Sequence, residues 1–417
     1  MRILKLTPVV EKKLLAARVS HDAEAQSVAA QIVADVRKHG DSSLLAWARK
    51  LDDANLSTES LWISQKEIRR AERNVAPDFL RAIRQAARNI RRVAEKQLPH
   101  HWSLEVEPGV RIQQRVLPIE LIGCYVPGGQ ASLVSTLLMT AVPAQVAKVP
   151  RIIAVCPRPN IELLAAASFL GITEVARIGG AQAIAALAYG TKSIPRVEKL
   201  FGPGNKYVTA AKQLVSCDCA IDLPAGPTEA IVLAERGNAR WIAADLLAQA
   251  EHAPDAASFF VTTSRVLAQQ VAAEVAAQVA TLVPDSPAHR SIENAAAILL
   301  APSLGVAREF VNRFAPEHLS LPANSVTLLK RIQSSGTIFL GPWAAQPLGD
   351  YVSGSNHVLP TAGWARRRGG LSAADFVKCI TAQTISRRGF LRLADSAETL
   401  AEAEGLLAHR NAMRIRR

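Results

Sequence analysis

The stretch "RIIAVCPRPNIELLAAASFLGITEVARIGGAQAIAALAYG", residues 151–190, decides the fold class. A short β-branched run, RIIAVCP, ends in proline. An apolar helix candidate, NIELLAAASFLG, ends in glycine. EVARIGG and AQAIAALAYG then repeat the same alternation. Short apolar runs alternating with helices across glycine turns read as βαβ units, and such units build a parallel sheet. The rotation continues downstream, with VEKLFGPGN before KYVTAAKQLVS and CAIDLPAGP before TEAIVLAE. Upstream, VRIQQRVLPIELIGCYVPGG gives β-like runs that end in a Pro-Gly-Gly turn.

Residues 121–230 therefore read as one Rossmann-like domain. A second alternation follows, with SFFVTTS, AAAILLA, HLSLPA and SGTIFLG as strand candidates among helices. The fold class expected is α/β, with two Rossmann-like parallel-sheet domains. The helix-rich segment 21–120 is expected to join 231–375 in one larger α/β domain, interrupted by the first block. Residues 1–20 read as a short helical N-terminal arm, and 376–417 as a C-terminal helical arm.

A chain of 417 residues exceeds what one core usually serves, which agrees with two domains. Hydrophobic residues make up 49% and charged residues 20%, so the chain reads as globular and not as disordered. No run of uncharged apolar residues is long enough to span a bilayer. The N-terminus, MRILKLTPVVEKKLL, has no long apolar core and no small-residue cleavage site, so a cytoplasmic location is expected. Five scattered cysteines agree with a reducing compartment. The net charge of +13 includes a stripe of Arg81, Arg84, Arg88 and Arg91 on one helix face. No nucleic-acid-binding motif accompanies it, so it reads as a solvated face and nucleic acid is not an expected partner.

Chemistry is suggested by polar residues in apolar settings. In ADLLAQAEHAPD (residues 244–255), Gln249 and His252 lie about 60° apart on a helical wheel. They sit beside the stripe of Ile242 and Leu246, while Glu251 points away. They are either a hydrogen-bonded core pair or two metal ligands one turn apart. His318 follows Glu317 directly before a strand candidate, His357 lies seven after Asp350, and His409 lies five after Glu404 in the terminal helix. Taken singly, each reads as a structural histidine. Together they offer an oxygen and nitrogen ligand set with acid–base groups beside it. The loops GGAQ and GPGN each open a helix after a strand, where free N–H groups suit an anion. Neither completes the dinucleotide fingerprint.

These segments, CYVPGG, GGAQAIAALAYGT, FGPGNKYVTAAK, IDLPAGPTE, DLLAQAEH, NRFAPEHL, GTIFLG, GDYVSGSNHVLPT and EGLLAHRNA, occur in the order found in the histidinol dehydrogenases, which the chain resembles over nearly its whole length. The resemblance implies oxidation of L-histidinol to L-histidine in two steps with two NAD, within histidine biosynthesis. It implies one Zn2+ per subunit, held by Gln249, His252, Asp350 and His409. Glu317 and His318 would be the catalytic pair. Thr228, Gln249, His252, His318, Asp350, His357, Glu404 and His409 would surround an amino alcohol substrate, and Tyr125, Gln182 and Asn205 would contact NAD. It also implies a homodimer with swapped arms, in which Glu404 and His409 of the partner subunit complete the site.

Three departures stand out. Thr228 replaces the family's usual serine, Ala345-Gln346 replaces its usual Pro-Glu, and Ala253-Pro254 after His252 is unusual. They leave the ligand set and acid–base pair intact but bear on the substrate. The alternative is a paralogue that oxidises a different polar primary alcohol with NAD.

Overall fold

The computed structural model describes residues 1–18, 22–53, 55–128, 132–224, 226–322 and 326–417. Its strands are β1 (Arg2–Lys5), β2 (Trp102–Glu107), β3 (Val110–Pro118), β4 (Leu121–Tyr125), β5 (Arg151–Val155), β6 (Glu174–Ala176), β7 (Lys199–Phe201), β8 (Ala220–Ile221), β9 (Glu229–Leu233), β10 (Ala257–Thr262), β11 (Ala296–Leu300), β12 (His318–Leu321), β13 (Thr337–Leu340) and β14 (Val377–Ile385). They form two parallel sheets and one antiparallel sheet. The last glycine of the Pro-Gly-Gly turn, Gly129, lies outside the described residues.

The first parallel sheet has the order β6-β5-β4-β7-β8. The chain starts in the middle at β4, builds outward to β6, and returns to the other side of β4 with β7. The second parallel sheet, β1-β11-β10-β9-β12-β13, repeats this plan around β9, with β1 added at the far edge. Each sheet thus has a topological switch point, between β4 and β7 and between β9 and β12.

The helices at 23–97 do not join the second sheet as expected from sequence. They pack on the first. Ala29, Ile32, Val33, Leu44 and Ala48 share a core with Ile184, Leu187, Val208 and Ala211, and Ile68, Ile83 and Ile90 share another with Leu138, Val142 and Leu164. The reason lies in the crossover helices. Every residue from Ala181 to Ala188 in the helix Gly180–Tyr189, and from Thr136 to Ala144 in Val134–Val146, is buried. A helix apolar on all sides cannot face water after covering a sheet, so it needs a second layer. The N-terminal helices supply that layer.

Three further boundaries differ from the sequence reading. Residues 1–20 are not simply a helical arm: β1 pairs in parallel with β11, Ile3 opposite Ile298, before the helix Pro8–Ala16. A division at 230/231 would cut β9, the central strand of the second sheet, so that unit begins before Glu229. The C-terminal segment opens with a strand, not a helix. β14, rich in β-branched residues, pairs antiparallel with β3 from Val377 opposite Pro118 to Ile385 opposite Val110. The helices Arg387–Ala403 and Leu407–Arg414 follow.

One buried and one half-buried acidic group lie near the sheet ends. Asp222 accepts from the main-chain N–H of Gly202 at 2.7 Å and from the Lys212 ammonium, which also donates to the Gly202 carbonyl at 2.9 Å. Gly202 has φ +113°, and a side chain there would collide with the Tyr125 carbonyl. The pair therefore holds the loop after β7 tightly against the end of β4. On the helix Ala239–Ala250, Asp245 faces the main-chain N–H of Gln346, which pulls its pKa down.

Lys212→Met leaves Asp222 buried without its cation and is expected to lower unfolding stability by about 3–5 kcal/mol in urea titrations. For Asp245, burial pushes the carboxyl up to about 6, against the opposing pull of the Gln346 N–H. A carboxyl raised in the folded state loses stability as pH climbs from the ordinary aspartate value through about 6. Asp245→Asn keeps an acceptor without that charge. It should melt above wild type at pH 8 by ~1–2 kcal/mol, with the gain vanishing at pH 4.

Candidate functional site

The helix Leu304–Phe314 stops at Ala315, which adopts φ +50°, and Pro316 follows. The chain then enters β12 with His318 as its first residue. The Glu317 carbonyl accepts from Thr337 N at 2.9 Å, and His318 sits in register with Ala230. Glu317 and His318 therefore stand at the amino ends of the strands beside the second switch point. Both are buried, at 6% and 2% exposure.

Around them runs a continuous line of polar contacts. The Glu317 carboxylate accepts through one oxygen, Oε2, from Glu229 N at 2.9 Å and from the Thr228 hydroxyl. The Thr228 oxygen accepts from Gln249 Nε2 at 2.5 Å, and Gln346 Nε2 donates to Gln249 Oε1. On the other side, His318 Nδ1 lies 3.7 Å from Glu317 Oε2, and His318 Nε2 lies 3.5 Å from Asp350 Oδ1. His318 Nδ1 is buried with no hydrogen-bond partner. Its ring lies along Phe339, with centroids 5.9 Å apart.

Gln249 is fully buried near the end of its helix, which closes at Ala250. His252 thus lies just beyond the helix and is exposed, with Nδ1 3.0 Å from the Ala248 carbonyl. Asp350 sits in the short helix Gln346–Tyr351, and its own carbonyl lies 2.9 Å from His357 Nδ1. His357 Nε2 reaches Thr136 Oγ1 at 3.3 Å, on a helix of the first sheet, so this ring links the two sheet units.

The electrostatics are those of a tight acid–imidazole cluster. Burial alone would raise the Asp350 pKa, yet the hydrogen bond from His318 and the fields of His318, His357 and His252 hold it below the usual carboxylate value. Burial opposes a charge on His318, but Glu317 and Asp350 outweigh it and raise its pKa. Burial lowers the pKa of His357.

Two groups here were not foreseen from sequence. Behind Glu317 stands Glu229, which burial pushes up to about 7 although Arg18 grips both its oxygens. Arg18 also lies over the Phe314 ring. The sequence signal was a carboxylate opening the apolar run EAIVL. The other is Gln346, visible from sequence only as a departure.

The nucleotide candidates cluster at the first switch point, where ligands of open α/β sheets bind beyond the carboxyl ends of strands. Tyr125 ends β4, and its hydroxyl accepts from Gly180 N at 3.2 Å. Gln182 donates to Asp52 at 2.8 Å, while its Oε1 is buried without a partner. Asn205 caps the helix Lys206–Val215, accepting from Tyr207 N and Val208 N, both at 3.1 Å.

Glu404, which caps the helix Arg387–Ala403, and His409, on the helix Leu407–Arg414, are both exposed. Among the described residues no three His, Cys, Asp or Glu side chains gather into a metal-holding group, so one chain does not bring His409 to His252 and Asp350. No helix among the described residues is long and apolar enough to cross a membrane.

A family model described as histidinol dehydrogenase matches residues 15–417. A histidinol dehydrogenase of Methanosarcina mazei is 42% identical over 427 aligned residues, covering 100% of this chain and 98% of that protein. One from Aquifex aeolicus is 43% identical over 389 residues, covering 93% of this chain and 91% of its own. The crystal structure of histidinol dehydrogenase from Elizabethkingia anophelis superposes with a TM-score of 0.94 at 36% identity, covering 100% of this chain and 98% of that one. With sequence and fold matched from end to end, the chain belongs to the histidinol dehydrogenase family.

Proposed function

We propose that this enzyme oxidises L-histidinol to L-histidine in two steps, using two NAD and one zinc per subunit of a homodimer. The observation that carries the reading is the line from Thr228 through the buried Glu317, His318 and Asp350, with Gln249 at one end. The relatives' names supply the substrate.

The donor set suits zinc. Gln249 and Asp350 offer oxygen, His252 offers nitrogen, and imidazole with carboxylate is an accepted zinc environment. With His252 Nδ1 engaged by the Ala248 carbonyl, Nε2 keeps its lone pair for a metal ion, as in ligating histidines generally. His409 of the partner subunit would be the fourth ligand. Bound zinc would anchor the substrate's imidazole and amine. For NAD, support comes from the switch-point loops and the unpartnered Gln182 Oε1; the cofactor would accept hydride.

The chain's own residues then divide the proton work. His318 Nδ1, the nitrogen without a partner, takes the proton of the substrate hydroxyl, and Asp350 steadies the resulting cation through Nε2. Glu317 serves the second oxidation, drawing a proton from the water that adds to the aldehyde. Its fixed Oε2 leaves Oε1 for that task. Burial of both groups keeps bulk water away between the two steps.

Dimerisation is supported by the surface. β2, β3 and β14 form a thin sheet on which Trp102, Leu104, Val106 and Ile380 are exposed. Beside it the C-terminal helices expose Leu391, Leu400, Leu407 and Ile415. An apolar surface of this kind calls for a partner, and a second copy would also bring Glu404 and His409 to the cluster.

The zinc-loaded enzyme given histidinol should form two NADH per substrate. No turnover with histidinol, but turnover with another primary alcohol, would shift the assignment to a paralogue. His318→Asn should lower kcat by roughly 10²–10⁴-fold. His409→Ala and Glu317→Gln should each inactivate the homodimer. Co-refolding them should restore roughly a quarter of wild-type activity, because half the dimers are mixed and one site in each mixed dimer is intact. No restoration would mean that His409 does not act across subunits.

A further inference from the structure

Arg18 has no part in the chemistry assigned above, yet its side chain is only 9% exposed, and the Glu229 carboxylate it pairs with is 5% exposed. Taking such a pair out of water costs free energy that the pairing alone need not return. Arg18 Nε donates to Glu229 Oε1 at 2.6 Å, a second guanidinium nitrogen donates to Oε2, and the third donates to the Phe314 carbonyl. The guanidinium carbon lies 3.9 Å from the centre of the Phe314 ring. A guanidinium only donates, and carboxylate and carbonyl oxygens only accept, so chemistry fixes the direction of each bond.

Both partners of Arg18 adjoin Glu317. Glu229 opens β9, and its main-chain N–H holds Glu317 Oε2. Phe314 ends the helix that leads to Glu317, and its carbonyl is one of those a helix leaves open. The next residue, Ala315, has φ +50°, a conformation that a residue with a side chain keeps only where its surroundings fix it. His318 has anchors of its own. The Pro316 and Glu317 carbonyls accept from Gly336 N and Thr337 N, both at 2.9 Å, and His318 lies in register with Ala230 and Thr337. The sheet thus places His318, while Arg18 ties the turn before Glu317 to the strand end that grips its carboxylate. A cation suits that place. Burial and then the Glu317 charge push the Glu229 carboxyl up to about 7, against the pull of Arg18 and of the facing Ala362 N–H.

We propose that Arg18 is a positioning residue for the aldehyde oxidation: clamped to Glu229 and to the Phe314 carbonyl, it holds the Glu317 carboxylate in place for the second step, while His318 keeps its place without it. The inference rests on the role given to Glu317 above, and the test tells the two apart.

The full-length zinc-loaded enzyme is assayed with the aldehyde of histidinol in both directions. In oxidation, water adds to the carbonyl carbon and gives a proton to Glu317, and the hydrate anion expels hydride to NAD and becomes the acid. In reduction, the carbonyl carbon takes hydride from NADH and the oxygen takes a proton from His318. Arg18→Met should lower kcat for oxidation by roughly 10²-fold, with KM and the kcat for reduction each within about threefold of wild type. Arg18→Met combined with Glu229→Gln removes both charges together, which costs the fold far less than removing one, and keeps the Glu229 main-chain N–H. This double variant should show the same one-sided loss, even where Arg18→Met alone fails to fold. Equal losses in both directions would mean a merely structural role. Oxidation restored to the wild-type rate in the double variant would mean that Arg18 only neutralises Glu229. Either result, or a loss of oxidation under tenfold in Arg18→Met, would overturn the proposal. Glu317→Gln is the control. If it oxidises the aldehyde as fast as wild type, the reading of Glu317 fails, and the inference with it. If it loses oxidation and keeps reduction while the Arg18 variants keep both, only the clamp fails.

Discussion

The Glu317 carboxylate, held by the main-chain N–H of Glu229, is the contact on which the rest of the site depends. It joins the amino ends of β9 and β12, neighbours in the second sheet, so the register of the sheet sets the place of the acid. Every other polar group is placed by reference to it. Thr228 gives it a proton, Gln249 answers Thr228, Gln346 answers Gln249, and His318 packs its ring beside it. A buried carboxylate satisfied at one oxygen by fixed donors has little freedom to turn. Its second oxygen is then presented in one direction, which suits the general base work proposed for it.

The two sheets use their ends differently. The first keeps its candidate nucleotide loops beyond the carboxyl ends of β4 and β7, the usual place. The second keeps Glu317 and His318, the proposed acid–base pair, at the amino ends of β9 and β12. The His357 ring spans the gap, from the Asp350 carbonyl to Thr136 on the first sheet's helix. A shift of one unit against the other would therefore be felt at Asp350.

Much of this was legible in the sequence, because periodicity and short motifs are local. The alternation over 151–190 gives β5, a helix, β6 and a helix as expected, and HLSLPA and SGTIFLG are β12 and β13. What was not legible depends on non-local packing. AQAIAALA has no polar face and so demands an outer layer, but nothing in it says that the layer comes from residues 23–51. RILK is too short to distinguish a strand from an arm until Ile298 lies beside it. His252 looked like a helical neighbour of Gln249, but Ala253-Pro254 lets the helix end first. Arg18 and Glu229 are 211 positions apart and carry no shared motif. Glu404 and His409 belong to a surface that one chain leaves exposed.

The pairing of β14 with β3 has a consequence for how the chain is made. The hairpin of β2 and β3 leaves the ribosome early, but its third strand arrives only when residues 377–385 have been synthesised. Until then one edge of β3 shows open backbone groups beside apolar side chains, the condition under which nascent chains stick to one another. The tail that brings His409 also closes that edge. Synthesis of residues 377–409 thus both protects the hairpin and supplies the last proposed ligand, and a product cut before residue 377 would lack that histidine and be prone to aggregate.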